Sequence, residues 1–146
     1  MTDTMEAFEN GATLHHVGYV VASIQSAAEG FMRSLALTWD GRIIHDPALT
    51  VSVAFLYPRF PGNPTIELVE PEGSGSVVHK FLQRGGGLHH LCYEVDCLAS
   101  QLEFTKLNRD LLVRPPVQAV AFQGRRVAWI YTRNKFLVEY VERCLK

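Results

Sequence analysis

An α+β fold built from two tandem β-α-β-β-β modules is predicted for this 146-residue chain by three observations. LHHVGYVVASI at Leu14–Ile24 matches LHHLCYEVDCL at Leu88–Leu98 in its Leu, His, His, Tyr and Val positions, at a constant offset of 74 residues, the distance from His16 to His90. The same offset carries VAFLY at Val53–Tyr57 onto VAWIY at Val127–Tyr131. After a loop shortened by two residues, IELVE at Ile66–Glu70 falls on VEYVE at Val138–Glu142. Each half therefore opens on a histidine strand and closes on a glutamate strand. A period this long marks a duplicated unit and not a solenoid of short repeats. The expected organisation is a polar tail over 1–13, a first module over 14–72, a linker over 73–87 and a second module over 88–146, together one compact domain.

The elements follow in order. Leu14–Val21 is apolar and β-branched and reads as a strand, after which Ser23 can cap a helix. Ile24, Ala27, Ala28, Phe31 and Leu35 recur at helical spacing and give that helix one buried stripe, ending near Leu37. Trp39–His45, Val51–Pro58 and Thr65–Glu70 are the next strands, the last two joined by the turn-rich PRFPGNP. The second half repeats the plan with a strand at Leu88–Val95, Asp96 as cap and a helix over Leu98–Arg109. Strands near Val113–Ala119, Arg125–Thr132 and Lys135–Glu142 complete it.

Composition narrows the function classes. With 47% hydrophobic residues the chain can bury a core of ordinary size, and a net charge of −1 without a dense Lys/Arg run makes nucleic acid or an anionic membrane a poor partner. MTDTMEAFENGA has neither the basic start nor the apolar run of a secretory signal, and no stretch approaches the roughly 18 apolar residues of a bilayer span. A cytoplasmic protein is expected. Cys92, Cys97 and Cys144 are odd in number and lack finger spacing, which fits reduced thiols.

Strand alternation decides which side chains can meet. Residues two apart share a face, so His16 lies with Leu14, Gly18 and Val20, and His90 with Cys92 and Glu94. His15 and His89 fall on the opposite faces, which carry the larger apolar residues expected to pack inward. Glu67 and Glu139 alternate against Ile66/Leu68 and Val138/Tyr140. A carboxylate in the middle of a sheet is costly unless a positive group satisfies it. Taken singly, each histidine would be a core residue and each glutamate half of a surface ion pair. All four at equivalent positions of a repeat point instead to a divalent metal held by His16, Glu67, His90 and Glu139. Two imidazoles and two carboxylates suit Zn, Co, Ni, Mn or Fe.

The HHVG and HHLC strands, IELVEP, and GRRVAW followed by FLVEYVE resemble the vicinal oxygen chelate superfamily, the glyoxalase and bleomycin-resistance fold. Within it GGGLHHLCYEVD, IELVEP and GRRVA are most similar to methylmalonyl-CoA epimerases, and the likeness runs from about Leu14 to Glu142. The resemblance implies paired modules curling into a half-barrel around a metal, with ligands at His16, Glu67, His90 and Glu139. It also implies chelation of two substrate oxygens, such as a thioester carbonyl and a carboxylate, and stabilisation of an enolate. Glu139 would both touch the metal and move a proton. The epimerases' second proton-transfer glutamate falls on Ala48, in PALTV at Pro47–Val51. His45 and Asp46, just before it, or Glu94 on the His90 face would have to replace it, although Glu94 belongs to the EVD run that the resemblance reads as structural.

The expected activity is thus a metal-dependent isomerase or epimerase acting on an acyl-CoA or dicarbonyl compound, working as a homodimer whose partner would cover exposed sheet edges. Three alternatives stand beside it: a lyase, a glyoxalase-type enzyme, and a metal-free protein that sequesters a drug or metabolite in the same cup.

Overall fold

The computed structural model describes residues 11–143, so most of the expected polar tail, and Cys144, lie outside the described residues. The described residues divide into two compact units: His16–His89, and His90–Arg143 together with Gly11–His15.

In the first unit, β1 (Thr13–Val20) pairs in parallel with β5 (Thr65–Pro71), and β4 (Val51–Pro58) pairs antiparallel with β5. Two short strands, β2 (Leu37–Thr38) and β3 (Ile44–Asp46), both add to β4. Helix α1 (Ile24–Leu35) lies on one face. It starts where expected because Ser23 Oγ accepts from Ser26 N at 3.2 Å, and it ends at Ala36, whose φ of 53° turns the chain out of the helix. Its apolar stripe buries Ile24 and Ala28 against Ala54, Leu56, Ile66 and Leu68, flanked by Val17 and Tyr19. Each aliphatic side chain taken fully out of water there contributes roughly 1.5–3 kcal/mol.

In the second unit, β6 (Gly87–Val95) pairs in parallel with β9 (Leu137–Glu142), β8 (Arg126–Tyr131) lies antiparallel to β9, and β7 (Leu111–Gln118) forms the outer strand on β8. Helix α3 (Leu98–Leu107) packs through Leu98 and Leu102 onto Val95, Ala128 and Tyr140. Burial pushes the Tyr140 hydroxyl above its ordinary range. Arg143 Nη2 donates to Gly11 O at 2.9 Å and Thr13 Oγ1 at 2.6 Å, fastening the start of β1 to the residue that follows β9.

The closing strands hold the helices. Glu70 Oε2 accepts from Ile24 N at 2.8 Å and Glu142 Oε2 accepts from Leu98 N at 2.8 Å, so the last glutamate of each closing strand satisfies the first amide of its own module's helix.

Two expectations are corrected, and two short elements are added. Trp39 and its neighbours form a loop, with strand only at Ile44–Asp46. Asp40 Oδ1 takes the Arg42 amide at 2.9 Å and Gly41 adopts a φ of 81°, which together turn the chain before a strand can begin. Asp96 does not cap α3. Cys97 occupies that position, and Asp96 is drawn into a 2.5 Å ion pair with Arg143. The expected linker contains a short helix, α2 (His79–Gln83). It leads into Gly86, with a φ of 65°, where a Cβ would sit 2.7 Å from Val20 O, so only glycine passes there. A 3-10 turn at Val120–Phe122 was also not expected. Among the described residues no helix is long and apolar enough to cross a membrane.

Candidate metal centre

The register of the parallel pairs builds the same arrangement twice. In the first unit Gly18 stands opposite Glu67, which puts His16, two residues earlier on the same face, beside that carboxylate. His16 Nε2 lies 3.1 Å from Glu67 Oε2, with 0% of His16 and 6% of Glu67 exposed. Phe55 registers with Glu67 from the other side, and its ring meets His16 edge to face at 5.5 Å. In the second unit Cys92 stands opposite Glu139, Trp129 registers with Glu139, and the His90 and Trp129 rings meet edge to face at 4.8 Å. His90 is 4% and Glu139 6% exposed. Phe55 and Trp129 are themselves repeat mates at the 74-residue offset, a signal present in VAFLY and VAWIY.

The donors suit a divalent ion. Two ligand atoms held about 2.0–2.1 Å from one ion at 90–110° stand about 2.9–3.4 Å apart, and the 3.1 Å His16–Glu67 separation lies within that range. Each unit therefore presents one buried imidazole and one buried carboxylate on a single face, flanked by an aromatic ring that excludes water.

The neighbouring histidines meet other rings. His15 packs edge to face on Phe122 at 5.4 Å, and His89 on Phe81 at 4.8 Å.

His45 and Asp46 part company. Ser52 registers with both His45 and Glu70, and since Glu70 caps α1, His45 belongs to the helix-covered face, opposite His16 and Glu67. Its exposed ring bonds Glu72 Oε1 at 2.6 Å and Ser52 Oγ at 2.9 Å. The Ser52 hydroxyl and that imidazole hold the Glu72 carboxyl below its ordinary range. Asp46 registers with Val51 on the same face as Glu67, but four residues along β4 from Phe55, about 13 Å by strand rise. Its Oδ1 accepts from Ala48 N at 2.9 Å and Leu49 N at 3.2 Å, which fixes the turn that carries Ala48.

Glu94 shares the His90 face and is held by Arg125 at 2.7 Å and Arg143 at 3.1 Å. Burial alone would raise its carboxyl, but the two guanidiniums outweigh it and hold it low. Arg126 forks onto Glu142. Arg125 and Arg126 are therefore both ion-paired. Tyr57 and Tyr131, also repeat mates, are 45% and 41% exposed.

Residues 15–129 match the model of the glyoxalase/bleomycin resistance protein/dioxygenase superfamily. An uncharacterized protein of Bacillus subtilis is 34% identical over 136 residues, covering 88% of this chain and 91% of that protein. An ethylmalonyl-CoA/methylmalonyl-CoA epimerase of Cereibacter sphaeroides is 37% identical over 130 residues, covering 86% and 94%. The crystal structure of a methylmalonyl-CoA epimerase from Mycobacterium tuberculosis superposes with a TM-score of 0.77 at 26% identity, covering 90% of this chain and 88% of that one. The α+β fold is that of these relatives.

Proposed function

Because the chain belongs to the glyoxalase/bleomycin resistance/dioxygenase superfamily, we propose that it is a metal-dependent epimerase or isomerase of an acyl-CoA thioester, with His16, Glu67, His90 and Glu139 as the ligands of one divalent ion. The observation that carries this reading is the pair of buried imidazole and carboxylate groups set at equivalent repeat positions. Sequestration of a metabolite would not need four such groups under apolar cover. The similarity to acyl-CoA epimerases supports the substrate class.

When bound, the dication supplies Lewis acidity for two substrate oxygens and for the charge that develops on a carbonyl. His16, Glu67 and His90 hold and orient. Glu139 takes the proton from the substrate α carbon, exchanges it with solvent and returns a proton to the same face. Asp46 shares the ligand face in the first unit but is engaged in its turn, and His45 faces away. Glu139 is therefore the one carboxylate of the proposed set aimed at proton transfer, so exchange with solvent outpaces inversion. The free, exposed thiol of Cys97 fits the cytoplasmic location of this reading. Its homodimer is read by sedimentation.

The test is proton NMR of methylmalonyl-CoA in deuterated water with protein purified without chelator, alongside metal analysis. Loss of the α-proton signal with wild type and its retention with Glu139→Gln, at one metal per chain, are expected. Absence of both metal and exchange would favour the sequestering alternative. Exchange of a hemithioacetal in place of the thioester would favour the glyoxalase type.

A further inference from the structure

The cross-strand row through Glu139 does not stop at Trp129. Cys92 registers with Glu139, Glu139 with Trp129, and Trp129 with Arg114 on the outer strand β7. Registered residues share a face, so Arg114 stands on the His90–Glu139 face. Two strand spacings, about 10 Å between Cα atoms, separate it from Glu139, a gap that the long arginine side chain can largely span.

Three features set Arg114 apart. It is half-buried, whereas Arg109 and Arg133 in the same unit are exposed. Arg125, Arg126 and Arg143 are all committed to carboxylates, while Arg114 has no ion-pair partner among the described residues. The register also shifts on both sides of it, between Leu112 and Arg114 and again between Arg114 and Val117. Such bulges re-aim a side chain, and Pro115 and Pro116 stiffen the strand immediately after it. A guanidinium kept partly out of water without a counter-charge is costly unless a ligand supplies one.

We propose that Arg114 binds an anionic group of the substrate, a carboxylate or a phosphate, at the outer end of the Glu139 row. The inference rests on the reading that substrate occupies the His90–Glu139 face. A forked donor suits either oxyanion, and one such charge-assisted pair corresponds to roughly a ten- to hundredfold change in affinity.

Calorimetric titration of the protein as isolated, with methylmalonyl-CoA, propionyl-CoA and methylmalonyl-pantetheine, separates the two sources of charge. Arg114→Gln is expected to bind methylmalonyl-CoA about ten- to hundredfold more weakly, with most of the loss recovered in Arg114→Lys. If the partner is the acyl carboxylate, propionyl-CoA binds the variant as it binds wild type. If it is a phosphate, the pantetheine ester does. In parallel, the nitrogen-15 resonance of Arg114 Nε, assigned by its loss in Arg114→Lys, is followed during titration with malonate and with pyrophosphate. Movement of that resonance in a protein that ignores all three thioesters would uphold the anion site and sink the acyl-CoA reading. Unchanged affinities in Arg114→Gln, or a wild type that ignores the thioesters and both anions, would overturn the proposal.

Discussion

Replacing Glu142 with Ala removes two supports at once, and its repeat mate provides the control. In the wild type its Oε2 takes the Leu98 amide at 2.8 Å, and both oxygens receive Arg126. Loss of the cap costs about 0.5–2 kcal/mol, and loss of a half-exposed ion pair adds up to about 1 kcal/mol. Glu70 makes the same cap to Ile24 at 2.8 Å, and among the described residues no arginine bonds its carboxylate. Glu142→Ala should therefore lose about 2 kcal/mol and Glu70→Ala about 1 kcal/mol, or about 4–8 °C and 2–4 °C in Tm for a chain of this size. Urea titration at pH 7, with amide exchange at Leu98 and Ile24 to locate the loss, is the assay.

The pH dependence follows from direction alone. Burial would raise the Glu142 carboxyl, but the Leu98 amide and Arg126 outweigh it and hold it below its ordinary value. A group whose folded pKa is depressed contributes stability that is present above its unfolded pKa, near 4.3, and lost as pH falls through the folded value. The gap between wild type and Glu142→Ala should thus be full at pH 7 and shrink below about pH 4. Equal losses in the two variants, or a gap that widens in acid, would refute this account of the closing strands.

The remaining predictions concern the proposed centre and its surroundings. Chelator should lower Tm, and free zinc at a hundred times its Kd should restore roughly 2.7 kcal/mol, read by thermal scans; an unchanged Tm would count against the four-ligand set. Trp129→Leu should weaken metal retention by opening the His90 ring to water while leaving the fold intact, as measured by competition with a chromogenic chelator. His45→Ala should leave thioester α-proton exchange within twofold of wild type, since His45 occupies the opposite face; a larger loss in the NMR assay would return it to the proton path. Leu68→Ala, at a fully buried site beneath α1, should cost about 2–5 kcal/mol by urea titration.

Strands whose apolar rhythm was unbroken were legible in the sequence. Val51–Pro58 has the expected limits, and Thr65–Glu70 gains one residue, because both strands are buried over most of their length and their side chains record it. Reading failed where a short-range polar contact outranked that rhythm, as at Asp40 with Arg42 and at Asp96 with Arg143. His45 and Asp46 were inseparable on the page of sequence. Adjacent residues differ only in face, and face depends on register with Ser52 and Val51, which is set by a turn held by Asp46 itself. Arg114 left no trace because bulges break the alternation that would have announced it.

What the two units share and where they differ divides the labour of the chain. His16 and His90, Glu67 and Glu139, Phe55 and Trp129, and Glu70 and Glu142 all survive as pairs, and each pair performs one physical task twice: imidazole, carboxylate, aromatic cover, helix cap. The ligand set proposed for one small ion would place the same demand on each repeat, so duplication would meet it without further change. A substrate has two unlike ends and places different demands on each repeat. The asymmetries fall where that would require them: Gly18 against Cys92 beside the carboxylates, Ala48 in the turn held by Asp46, and Arg114 on a strand whose bulges separate it from any repeat mate. Substitutions at paired positions should accordingly act on metal retention or stability, and substitutions at unpaired ones on the choice of substrate. Exchanging Gly18 and Cys92 tests the division directly, because a metal affinity that moves as much as the substrate preference would show that the two tasks are not separable along the repeat.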